Sequence, residues 1–348
     1  MQAKTTARLA FLSLGLFLVL MPLGVVRSGW PPTLKADEPA YFGMAQSLAF
    51  DFDVRCDLGD ARRLTATYPY LPINNLILMS DDGWETVYYG KPYVFSLLAA
   101  QAVRWFGQNG MVAVNFVLLL AMIWMGASYL SRFNGRGLAL VFSTGFFVLS
   151  TGFAYVFWLQ PEIFNMFSIC ACLYLAFHRP ESTPANDAPR RRWLRLLGSG
   201  AVLALAVYNK PVFAAMGVPA LFVVWRRRGW KAAAAWVAAA AVSIGLLAGI
   251  GYALSGHPTA YLGAARGGVQ IEDPQQEDDY LEDLRRFVRL RGDEKVNQWT
   301  WIFRIPELRW RALAENAGYS PWRRHTRALV STPLAALALA LFLLPSPR

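Results

Sequence analysis

Three short patterns set charged side chains beside apolar runs. The first is Asp37-Glu38-Pro39-Ala40-Tyr41, a carboxylate pair just after the first apolar stretch. A carboxylate held at a membrane surface can take a proton from an acceptor hydroxyl or amine as that group attacks. The plain alternative is helix initiation, since Asp caps a helix N-terminus and Glu in the first turn complements its dipole. The second pattern, Tyr88-Tyr89-Gly90-Lys91-Pro92-Tyr93, puts an ammonium group where another apolar stretch begins. A lysine at headgroup level can hold a phosphate as a point charge, or simply snorkel toward the headgroups. The third, Tyr208-Asn209-Lys210-Pro211, lies on a tight turn between two short apolar segments. A lysine there is costly unless it faces a polar cavity or a partner; a turn residue reaching the headgroups explains it as well. Glu162, just after Gln160-Pro161, is placed to partner one of the lysines or to serve as a first-turn acid on its own helix. On one side of a membrane, Lys91 and Lys210 together could neutralise a departing phosphate.

The elements that must position these residues are apolar blocks. The chain is 55% hydrophobic and 16% charged, too apolar for a soluble domain, which carries about 25% charged residues. Leu9–Val26, Gly110–Leu130, Gly137–Phe157, Pro161–Phe177 and Ala232–Leu254 each approach the roughly 20 residues a bilayer span needs. Ala328–Leu344 is a further candidate, and Leu194–Tyr208 with Val212–Trp225 reads as a hairpin of two short spans. The fold class that follows is an all-α polytopic membrane protein with about eight transmembrane helices. Leu9–Val26 has the basic flank of a signal peptide, but its apolar run exceeds the roughly 7–15 residues usual for one and reads better as an uncleaved anchor.

Arginine and lysine orient the spans. Lys4 and Arg8, Arg132 and Arg136, Arg190 to Arg192, and Arg226 to Arg228 with Lys231 fall in alternate short connections, which puts those connections and the N-terminus in the cytoplasm. The net charge of +11 is then mostly topology and contact with membrane lipid. Nucleic acid is a poor partner for charges scattered over both sides of a membrane. The resulting division is a first span (1–27), a first extracytoplasmic loop (28–108), a transmembrane core (109–255), a second extracytoplasmic loop (256–327), and a last span with a short tail (328–348). The cell envelope, in a bacterial-type inner or plasma membrane, is the implied location.

Both loops exceed the length of a connector. In the first, Asp37 begins an expected amphipathic helix with Tyr41, Phe42, Ala45, Leu48 and Ala49 on one face. Asp81 to Trp84 reads as a turn between short extended pieces. Tyr93–Phe106 is too short to span comfortably and reads as an interfacial helix. In the second loop an acidic stretch from Glu272 runs into a basic one ending at Arg291, the charge order of a solvated surface helix. Cys56, Cys170 and Cys172 offer neither a disulfide framework nor a metal site.

The motifs, in this order and on this side, resemble the GT-C glycosyltransferases, in particular the protein O-mannosyltransferases and the lipid A aminoarabinose transferase. The resemblance runs from about Ala7 to Leu254 and rests on Asp-Glu-x-x-Tyr, Gly-Lys-Pro and the Lys-Pro turn. It implies an inverting transferase that takes a sugar from a polyprenyl-phosphate-linked donor and gives it to a lipid, glycan or protein acceptor. On that reading Asp37 is the residue that activates the acceptor and Glu38 its neighbour, while Lys91 and Lys210 lie near the carrier phosphate. Tyr41, Glu162 and Asn209 belong to the matching motifs or their surroundings. Candidates from the second loop are His257, Arg266 and, for a second acidic motif, Glu272-Asp273. Many relatives have more spans and a further outside domain, so the chain reads as a short or truncated member. No Gly-rich nucleotide cradle is legible, which suits a lipid-linked donor. A divalent cation beside Asp37-Glu38 stays open, with no ligand set to name. Two other readings stand beside this one. One is a secondary transporter or lipid translocase coupled through Glu162 and Lys210; the other is a non-catalytic lipid-binding membrane protein.

Overall fold

The structure is a computed structural model that describes residues 15–16, 19–20, 34, 37–67, 73–80, 85–177, 189–261 and 265–271. The expected spans at Leu9–Val26 and Ala328–Leu344, and the charged helix after Glu272, fall wholly or mostly outside these residues.

The chain is mostly helical. Two short helices, α1 (Glu38–Phe50) and α2 (Leu58–Thr67), precede strand β1 (Ile73–Ser80) and the two-residue β2 (Tyr88–Tyr89). Seven helices follow: α3 (Val94–Phe106), α4 (Gln108–Leu130), α5 (Arg136–Val148), α6 (Glu162–Phe177), α7 (Pro189–Asn209), α8 (Ala214–Arg228) and α9 (Trp230–Ser255). Strand β3 (Ala265–Ile271) closes the described chain. Helices α4 and α9 are long and apolar enough to cross a membrane, whereas α3, α5 and α6 are apolar but shorter.

α7 packs between α6 and α9, and α4 packs against α3, α5 and α6. Small residues let these helices approach closely. A Cβ on Gly200 of α7 would lie 2.5 Å from the Trp236 carbonyl of α9, so only glycine fits that crossing. Ser199 ties three helices together, accepting from Trp236 Nε1 at 3.1 Å and donating to the Cys172 carbonyl at 2.8 Å. The corner between α3 and α4 is tighter still, with a Cβ on Gly110 falling 2.2 Å from the Ala102 carbonyl oxygen.

Three features depart from the sequence reading. Helix α1 is not amphipathic: every residue from Glu38 to Ala49 is buried, because α3, α2 and β1 cover it. The stretch Gly137–Phe157 is not one continuous helix. It breaks after α5 at Ser150, whose backbone is extended, and resumes as a 3-10 turn over Thr151–Phe157. Asn115 of α4 takes up two carbonyls freed by the break, donating to Val156 O at 3.1 Å and Trp158 O at 2.9 Å. Third, the short extended pieces expected on either side of Asp81–Trp84 form β1 and β2, but β3 joins them in a three-stranded antiparallel sheet in the order β2-β1-β3. Its central strand belongs to the first long loop and β3 to the second, paired from Ile73↔Ile271 to Ser80↔Ala265. Both loops therefore meet at one end of the helices. At the opposite end Arg228 donates to the carbonyls of Arg192 and Ala176, joining α8 to α7 and α6.

Candidate functional site

The loop end of the helices gathers the charged residues singled out by the sequence. Asp37 occupies the position before α1, but its side chain makes no capping bond there. Lys91 Nζ instead donates to Asp37 Oδ2 at 2.5 Å, across 54 residues of chain. Lys91 is 11% exposed and Asp37 31%, so the carboxylate is the solvent-facing member of the pair. The side chain of Asp37 therefore does not cap α1 and is paired with Lys91 instead.

Glu38, the neighbouring carboxylate, reaches a different segment. Its Oε1 accepts the Leu159 N–H at 3.0 Å, in a buried contact between α1 and the segment that leads into α6. That bond makes Glu38 a tether rather than a second exposed carboxylate. Three residues on, Glu162 opens α6 and accepts from Lys210 Nζ. The two lysines thus stand in two separate ion pairs, joined through Glu38 and the short run from Leu159 to Glu162.

Behind the Glu162–Lys210 pair lies a buried amide pair. Asn209 Nδ2 donates to Asn165 Oδ1 at 2.9 Å, and both residues are wholly buried. Asn165 Nδ2, Asn209 Oδ1 and Glu162 Oε2 lack a protein hydrogen-bond partner. Three unpaired polar atoms so close together carry a desolvation cost of about 1–3 kcal/mol each. The sequence reading names Asn209 and Glu162 but not Asn165 or Asn115. Their signal is legible: each is an amide inside an otherwise apolar helix.

Tyrosines fasten the neighbouring segments. Tyr261 donates to the Asn209 carbonyl at 2.8 Å, and Tyr208 donates to the Pro258 carbonyl at 3.1 Å. Tyr93 lies edge-on to Tyr208, with ring centroids 5.6 Å apart, and donates to the Leu247 carbonyl at 3.0 Å. Burial pushes the Tyr93 phenol up to about 12. His257 is buried edge-on to Tyr88.

Lys91, Tyr93, Tyr208 and His257 line one small cleft with about 10 Å³ of free volume, the room of about one water molecule. Neither Asp37 nor Lys210 lines it. The geometry therefore brings Asp37 to Lys91, and Lys210 to Glu162, as two separate pairs among the described residues. Tyr41 is a core residue: its ring packs edge-on to Phe95 and its carbonyl accepts from Ser96. Arg266 pairs with Met79 in the sheet register, while Glu272 and Asp273 lie outside the described residues. No group of three or more metal-binding side chains is found among the described residues. Comparison with family models, with curated proteins and with solved structures finds no match, so the chemistry rests on the geometry itself.

Proposed function

We propose that the chain is an integral membrane glycosyltransferase that moves a sugar from a polyprenyl-phosphate carrier to an extracytoplasmic acceptor. The observation that carries this reading is the Asp37 carboxylate, left free of any capping duty and held against Lys91 at the end where both long loops meet. Helices α4 and α9 are long and apolar enough to cross a membrane, and α6, α7 and α8 lie where further spans are proposed. The apolar surface that α9 presents outward at Val242, Leu246 and Ile250 suits a lipid surround.

In the proposed reaction the acceptor oxygen or nitrogen attacks the anomeric carbon and Asp37 takes its proton. The bond from the anomeric carbon to the phosphate oxygen breaks, and the lipid phosphate leaves with the electron pair. Lys91 and Lys210 oppose the charge that develops there. Each lysine already holds a carboxylate, so an arriving phosphate competes with Asp37 and Glu162 for the two ammonium groups. Drawing Lys91 onto phosphate frees Asp37 for the acceptor, which couples donor binding to the activation of the base. Attack opposite the leaving group inverts the anomeric centre. The test is sugar transfer from a polyprenyl-phosphate donor in proteoliposomes holding the wild-type chain or Asp37→Asn.

One observation favours a second reading. The Glu162–Lys210 pair beside the unsatisfied Asn165–Asn209 amides is the sort of polar cluster that transporters use for coupling. Solute or lipid movement that requires Glu162, with no sugar transfer, would select that reading.

A further inference from the structure

At the opposite end of the helices lies a larger cavity that the proposed chemistry does not use. It has a volume of about 610 Å³, within the roughly 300–1,000 Å³ of ligand-holding cavities. It opens between α4, α6 and α8, and α5 contributes Phe147 to its wall. Buried Met122, Met125 and Phe147 form its apolar inner wall, and Leu173, Arg132 and Arg227 stand exposed on its lining. Along α4 the eight residues from Met122 to Leu130 correspond to about 12 Å of helix rise, and Arg132 lies just past the helix end. That approaches half of the roughly 30 Å hydrocarbon core, the depth one acyl chain reaches within one leaflet.

The two arginines are unlike the charged residues of the other end. Both are exposed, and among the described residues neither has a carboxylate partner. Each guanidinium lies over an aromatic ring: Arg132 is 5.9 Å from the Phe133 centroid and Arg227 is 6.0 Å from that of Phe177. Ring contact steadies the planar fork while leaving its N–H donors free, the arrangement that suits bidentate contact with a phosphate.

We propose that this groove is a binding site for an anionic glycerophospholipid of the leaflet facing the arginine clusters. The headgroup phosphate lies between Arg132 and Arg227, and one acyl chain runs down to Met122. The inference rests on the chain being membrane-embedded and is independent of the transfer chemistry at Asp37.

The full chain would be placed in nanodiscs holding equal amounts of phosphatidylglycerol and phosphatidylcholine with identical acyl chains. Lipid that stays bound on release would then be counted by native mass spectrometry. The expected result is one retained phosphatidylglycerol per chain, preferred by roughly ten-fold or more, the size of effect that two basic groups near a surface produce. Arg132→Gln with Arg227→Gln should abolish the preference, and Arg226→Gln, on the same turn but off the groove, should leave it intact. Leu173→Trp, which fills the groove and removes no charge, should reduce retention of both lipids. Equal retention of the two lipids by the wild-type chain overturns the proposal without any variant. So does a preference that survives the double substitution, or full retention after Leu173→Trp, the result expected if another part of the chain fills the groove. A chain that fails to enter nanodiscs at all defeats the membrane reading itself, which separates that failure from failure of the groove.

Discussion

Replacing Asp37 by Asn isolates one quantity, the negative charge. Because the Asp37 side chain makes no capping bond, the ~1 kcal/mol that a lost N-cap would cost does not enter. Asn keeps an oxygen that can still accept from Lys91. The pair is intermediate in exposure, at 11% and 31%, between exposed pairs at about 0–1 kcal/mol and buried ones whose breakage costs about 3–5. A loss of about 1–2 kcal/mol in stability is therefore the structural ceiling for Asp37→Asn. Removing a general base, by contrast, costs roughly 10²–10⁴-fold in rate, about 3–5 kcal/mol on the barrier. Transfer would be measured in proteoliposomes at matched protein, with thermal unfolding in detergent as the parallel readout. The expected outcome is a fall in turnover of at least 10²-fold with unfolding shifted only slightly. The charge-reversed double variant, Asp37→Lys with Lys91→Asp, sharpens the test. It restores an ion pair of the same partners but moves the carboxylate to the other backbone, so it should recover stability and not transfer. Transfer near the wild-type rate in Asp37→Asn, or recovered in the reversed pair, shows that Asp37 is only a structural partner of Lys91.

Three further outcomes are expected. Gly110→Ala should block folding or lower the unfolding temperature sharply, because its Cβ would meet backbone 2.2 Å away, whereas Gly135→Ala, with open space around it, should leave thermal unfolding near wild type; equal behaviour of the two defeats the close-approach argument. Asn115→Leu should destabilise by about 2–4 kcal/mol, since it leaves the carbonyls of Val156 and Trp158 without their donor; chemical unfolding in detergent reads this, and a neutral effect would mean that other donors serve the break after α5. Burial pushes the Asp60 carboxyl from 3.8 up to about 6, against the opposing bonds from Arg63 and Asp57, so the folded state holds the proton more tightly than the unfolded one. Stability from this group is then greatest below 3.8 and is lost as pH rises through about 6, a change of up to about 3 kcal/mol. Intrinsic-rate-corrected hydrogen exchange of α2 should show more protection at about pH 5 than at about pH 7, and Asp60→Asn should flatten the difference; protection that rises with pH would reverse the sign of the argument.

The helical reading came from local information. Apolar blocks such as Gly110–Leu130 and Ala232–Leu254 coincide closely with α4 and α9, because a run of apolar side chains fixes a helix without reference to distant partners. The short Lys-Pro turn likewise sits between α7 and α8, where Pro211 cannot continue a helix. The break after α5 was partly legible, since Ser150-Thr151-Gly152 interrupts the apolar run, yet the run's length masks it. The orphaned carbonyls that make the break tolerable find Asn115 in another helix, and no local pattern announces that.

The same division runs through the candidate site. Residue types and order nominated Asp37, Lys91, Glu162 and Lys210 from the sequence, because ionisable groups beside apolar blocks are costly enough to be conspicuous. Which lysine meets which carboxylate was decided by tertiary structure alone. Asp37 and Lys91 lie 54 residues apart, and Glu162 and Lys210 are separated by 48; long-range pairing depends on how helices stack, not on spacing along the chain. Tertiary packing also turned α1 from an amphipathic helix into a buried one, by laying a sheet and two helices over its polar positions. The pairing of β1 with β3 was equally out of reach, since Ile73–Ser80 and Ala265–Ile271 are short segments about two hundred residues apart, and strand partners are chosen by the fold that brings their edges together.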